Sequence, residues 1–134
     1  MQTDLDLHPD GDGFVARLTP HAAGAMHEAL SHVGRGGASD ACLTVLLGTD
    51  RAAVGELMER LHGPHTEPLE LRFTLRELHT LLSALTNAPT QFVSPEGIFF
   101  QEPFFIRLGF YRQNFDALAR AIANAVSHAL DVNS

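Results

Sequence analysis

The chain has 134 residues, of which 45% are hydrophobic and 19% charged, with 11 Gly and 7 Pro. That length suits one domain burying roughly two-thirds of its unfolded surface, and the composition excludes a disordered, collagenous or low-complexity chain. The basic residues are 9 Arg and no Lys against 16 acids, for a formal net charge of −7. Without Lys there is no Walker A lysine, no Schiff base to pyridoxal phosphate and no lysine nucleophile.

The acidity is uneven. Asp4, Asp6, Asp10 and Asp12 fall in the first twelve residues, and the rest of the chain carries 12 acids against 9 Arg, a balance of −3. Such a field repels phosphate backbones and anionic lipid, so neither nucleic acid nor a membrane is expected as a partner. An Arg-only basic set fits a GC-rich, bacterial genome. Cys42 is the sole cysteine, which excludes an internal disulfide and any multi-cysteine metal site. Residues Met1–Asp12 lack the basic start and apolar stretch of a signal peptide, and the apolar run Ala41–Gly48 is too short to span a bilayer. A cytoplasmic protein is expected.

In chain order, residues 1–134 read as a single domain, with 1–12 as an acidic N-terminal arm or the edge strand of a hairpin. Thr3–Leu7 pairs with Gly13–Leu18 across the turn-rich His8–Asp12. Thr19-Pro20 opens a helix whose apolar stripe is Ala22, Met26, Ala29, Leu30 and Val33, ending at Gly34–Gly37. Cys42–Gly48, nearly all apolar, reads as a strand buried on both faces. Thr49 and Asp50 cap a second helix with Val54, Leu57, Met58 and Leu61 inward, a Glu56–Arg60 pair outward, and Gly63-Pro64 as its stop.

Leu69–Thr74 alternates apolar and polar residues, as a half-buried strand does. Thr74 and Glu77 then form a capping box for a third helix lined by Leu75, Leu78, Leu81, Leu82 and Leu85 and closed by Asn87 and Pro89. Gln91–Val93 and Ile98–Gln101 flank a Ser94-Pro95-Glu96-Gly97 turn. Phe104–Leu108 reads as a last strand, and Gly109 leads into a helix over about Tyr111–Leu130 with Phe115, Leu118, Ile122, Val126 and Leu130 inward. Four strand–tight turn–helix units therefore recur, a pattern compatible with internal duplication. The expected fold is α+β or α/β: a central mixed sheet of four to six strands, with about four amphipathic helices packed on it.

Candidate chemistry is sparse. His8, His21, His27, His32, His62, His65, His79 and His128 make histidine abundant, yet a transition-metal site needs imidazoles that converge with a carboxylate. Glu59, His62 and His65 are the best-spaced candidates for a divalent transition metal. Otherwise no cofactor is expected. Asp10-Gly11-Asp12-Gly13 lacks the twelfth-position Glu of a calcium loop and suits a hairpin tip. Cys42 lies in an apolar run, and no Gly-x-Ser-x-Gly elbow occurs.

The aromatics carry the clearest hint. Eight of ten lie between Phe92 and Phe115. Read as strand neighbours, Phe99-Phe100 and Phe104-Phe105 place one ring on each side of a sheet. With Tyr111, these rings form a candidate interface with a partner protein or a second copy of the chain. The expected function is that of a non-catalytic interaction module, an immunity-type or regulatory partner protein, acidic and dimeric. The alternative is a small metal-dependent enzyme or metal-binding protein using clustered His with Glu59.

Overall fold

The computed structural model describes residues 5–34, 39–63 and 65–133, with side chains described through residue 128. Strand β1 (Leu5–Asp10) pairs antiparallel with β2 (Gly13–Leu18), which pairs antiparallel with β3 (Leu69–Thr74). A hairpin forms as expected, but His8, Pro9 and Asp10, expected in its turn, are paired strand residues, and only Gly11 and Asp12 connect the strands. Gly11 sits at φ +60°, and no non-glycine residue has positive φ, the arrangement of a type II′ turn. Thr3 and Asp4 lie outside the described residues.

The register puts Leu5, Leu7, Phe14, Ala16, Leu18, Leu69, Leu71 and Phe73 on one face and Asp6, His8, Asp10, Arg17, Glu70 and Arg72 on the other. Only the first face meets the helices. On the wet face, Arg72 reaches across the central strand to donate to Asp10, at 2.7 Å to Oδ2 and 2.9 Å to the backbone oxygen.

The expected four-to-six-strand mixed sheet is corrected here. The described residues form three antiparallel strands and six helices, an α+β arrangement. Two of the expected strands are helices. Cys42–Gly48 belongs to α2 (Asp40–Leu47): Ser39 caps it by accepting from the Cys42 amide at 3.2 Å, and Gly48 ends it in the left-handed region at φ +75°. Leu43 and Leu47, four apart, are buried, while Val45 between them is 86% exposed, so the helical period replaces the strand reading. Phe104–Leu108 belongs to α5 (Gln101–Leu108), with Phe104 and Leu108 buried one turn apart and Gly109 at φ +77° behind them. Only two of the four expected strand–helix units start from strands, which removes the recurrence behind a duplication.

The remaining helices match their signals closely. In α1 (Pro20–Gly34), Thr19 caps through its hydroxyl, which accepts from the Ala22 amide at 3.1 Å, and the expected stripe is buried. Arg35–Gly37 lies outside the described residues. In α3 (Arg51–Leu61), Asp50 accepts from the Ala53 amide at 2.9 Å. The expected Glu56–Arg60 pair is absent: Arg60 instead donates to Glu77 at 2.6 Å and to the Arg72 carbonyl, with its guanidinium over the Phe73 ring. That choice ties α3 to the start of α4 (Leu75–Thr90), whose Thr74–Glu77 capping box forms as expected.

Pro89 lies within the last turn of α4 and does not close the helix before it. The Ser94–Gly97 turn closes with Gly97 donating to Ser94 at 2.9 Å, but the expected flanking strands shrink to a Val93–Phe99 bridge because Gln101 starts α5. Helix α6 (Arg112–Asn133) buries Phe115, Leu118 and Ile122 and half-buries Val126. The Leu130 side chain lies outside the described residues.

Helix α4 is the hub of the helical layer, and it completes α2. The last carbonyls of a helix have no partner within it. Thr80, 1% exposed, donates to the Leu47 carbonyl at 3.0 Å, and Asn87 donates to the Leu46 carbonyl at 3.1 Å. Thr80→Val keeps the shape and removes the donor from a buried carbonyl. It is expected to lower the unfolding free energy by about 1–2 kcal/mol, read from urea denaturation. An effect below a few tenths of a kcal/mol would show that this bond is not holding α2 to α4.

Candidate functional site

Helix α5 is amphipathic in an unusual sense. Its inner side, Phe104 and Leu108, is buried, and its outer side carries Glu102, Phe105, Ile106 and Arg107, all exposed. Ile106 is 74% exposed and Tyr111 52%. The Phe105 and Tyr111 rings stack, with centroids 4.6 Å apart and planes at 25°. Ile98 and Phe100, on the chain leading into the helix, are also exposed large apolar residues. Leaving apolar surface in water has a cost of roughly 25 cal/mol per Å².

The five aromatic residues expected at an interface divide. Phe100, Phe105 and Tyr111 are exposed, and Phe99 is half-buried with the Arg112 guanidinium 4.6 Å from its ring centroid. Phe104 is fully buried, touching Phe92, Phe99 and Phe115 at centroid distances of 5.3, 5.3 and 5.2 Å. The helical period explains this: neighbours stand 100° apart, so Phe104 points inward and Phe105 points outward. Strand alternation pointed to the aromatics and missed Ile98 and Ile106. The signal for Ile106 was its place two residues from each of the inward positions Phe104 and Leu108.

Charge also marks this face. Glu102 in the first turn and Arg107 in the last follow the favourable direction of the helix dipole. Neither has an ion-pair partner among the described residues.

The histidines are dispersed. Among the described residues, no group of three or more His, Cys, Asp or Glu side chains is placed to hold a metal ion. Glu59 and His62 are exposed, and the half-buried His65 ring lies 3.2 Å from the Leu61 carbonyl through Nε2. Pro64 lies outside the described residues. His62 instead meets His27, with ring centroids 5.4 Å apart, and the two border a small cavity with Leu61, Leu108 and Phe110. Two imidazoles supply half of a tetrahedral donor set. Cys42 is exposed on α2. Among the described residues, no helix is long and apolar enough to cross a membrane.

Comparison of the chain with protein-family models, curated proteins and solved structures finds no match.

Proposed function

We propose that this protein is a non-catalytic interaction module of the regulatory or immunity type, acting in the cytoplasm by binding protein, and that its first partner is a second copy of itself. The observation that carries the reading is the outer face of α5. It carries Ile106 and the stacked Phe105–Tyr111 pair beside a carboxylate and a guanidinium, Glu102 and Arg107, that have no ion-pair partner among the described residues. Two copies of α5 packed antiparallel about a two-fold axis bring Glu102 of each against Arg107 of the other, with the apolar residues between them. A two-fold interface must be self-complementary in this way. Opposite charges at the two ends of one apolar strip meet that requirement.

Light scattering over a concentration series tests it. The expected result is a dimer mass that falls to the chain mass on dilution. Ile106→Glu is expected to weaken the dimer about 30-fold, corresponding to about 2 kcal/mol for a central interface side chain. Glu102→Arg alone weakens it, and Glu102→Arg combined with Arg107→Glu restores it. A monomer at every concentration, or a dimer indifferent to Ile106→Glu, overturns the reading.

A further inference from the structure

We propose that the groove between α4 and α6 binds a free carboxylic acid with a medium-length apolar tail. The groove lies on a different surface from the α5 face, and the inference does not depend on the dimer. This open groove has a volume of ≈ 850 Å³, within the range of small-molecule sites. Its walls are chiefly Leu75, Leu78 and Leu82 of α4 with Ile122 and Val126 of α6. Leu75 is 50% exposed, although it continues the apolar stripe that the rest of α4 buries. From Leu75 to Leu82 the helix rises about 10 Å, a length suited to a linear chain laid along the helix seam.

The polar groups of the groove set the charge of its ligand. Arg76 and His79, one turn apart on α4, both border it. Neither side chain has an ion pair or hydrogen bond among the described residues. Among the described side chains, which end at His128, no carboxylate lines the groove. Gly48, the left-handed cap of α2, packs beside this pair, and a Cβ on it would stand 3.0 Å from the His79 ring. An apolar trough bordered by a guanidinium and an imidazole, with no acid among the described side chains, suits an anionic head on an apolar tail better than a cationic one.

The test is calorimetric titration of the full chain with decanoate and, separately, with decyltrimethylammonium, both below micelle formation. Decanoate is expected to bind saturably at one site, and the cation is not. Arg76→Gln, at an exposed position, is expected to weaken decanoate about tenfold. Leu75→Glu should abolish binding by placing a carboxylate in the trough. The fold survives that change because an acid is favourable in the first turn of α4, and an unchanged melting temperature without ligand confirms it. No saturable heat with decanoate, equal binding of the cation, or decanoate binding insensitive to both substitutions overturns the proposal.

Discussion

Phe104→Ala is expected to lower the unfolding free energy by about 3–5 kcal/mol, the largest effect of any single truncation in the aromatic region. Phe104 is fully buried and is the one ring in contact with Phe92 before the Ser94 turn, Phe99 after it and Phe115 on α6. Removing it takes away the transfer free energy of the ring and leaves a cavity whose walls come from three separate elements. Those walls cannot collapse together without displacing α5 from α6. Phe100→Ser, at the N-cap of α5 and 48% exposed, changes stability by under about 1 kcal/mol. Chemical denaturation of the two variants separates a ring that holds the fold from a ring that is available to a partner. Comparable losses for both would mean that the outer rings are structural, and the interaction surface would shrink to Ile106 and Tyr111.

Gly13→Val is expected to cost about 3 kcal/mol, against the direction that strand propensity gives. Valine is favoured over glycine in strands by at most about 1 kcal/mol. Here, however, a Cβ on Gly13 would stand 2.7 Å from the Phe73 carbonyl oxygen on the neighbouring strand. That oxygen is backbone and cannot swing aside, so relief requires the end of β2 to separate from β3. Arg72→Gln on the same face removes an exposed ion pair, its side chains 59% and 53% exposed, and an exposed hydrogen bond to the Asp10 backbone oxygen, and is expected to change stability by under about 1 kcal/mol. A Gly13→Val protein as stable as the unsubstituted chain in a thermal melt would show that the sheet edge shifts freely.

The elements that were legible in the sequence have caps or alternation that only one structure satisfies. Thr19-Pro20, Thr74 with Glu77, and the alternation over Leu69–Thr74 are such signals, and each element begins where its signal stands. The stretches Cys42–Gly48 and Phe104–Leu108 are helices and not the expected strands, because a short, mostly apolar stretch shows too little period to separate the two. Their flanks held the answer. Ser39 and Asp40 before the first, Pro103 in the first turn of the second, and Gly48 and Gly109 after them are helix start and stop residues. Weighting flanks over content would have found both helices. It would also have turned Phe104 inward and Ile106 outward. The meeting of His62 with His27, and the groove between α4 and α6, depend on how distant helices pack, and no local pattern encodes that.

Helix α2 borrows its order from chain that does not yet exist when it is made. Its eight residues are too few for a helix to persist in water unaided. The donors that complete it lie 33 and 41 residues further on. At about 5–20 residues per second, the ribosome delivers the later of them about 2–8 s after Leu46. Through that interval only its local caps, Ser39 and Gly48, favour the helical form. Vectorial synthesis therefore delays the middle of this fold until α4 emerges, and the helix nearest the start of the domain, α1, must wait with part of its packing incomplete.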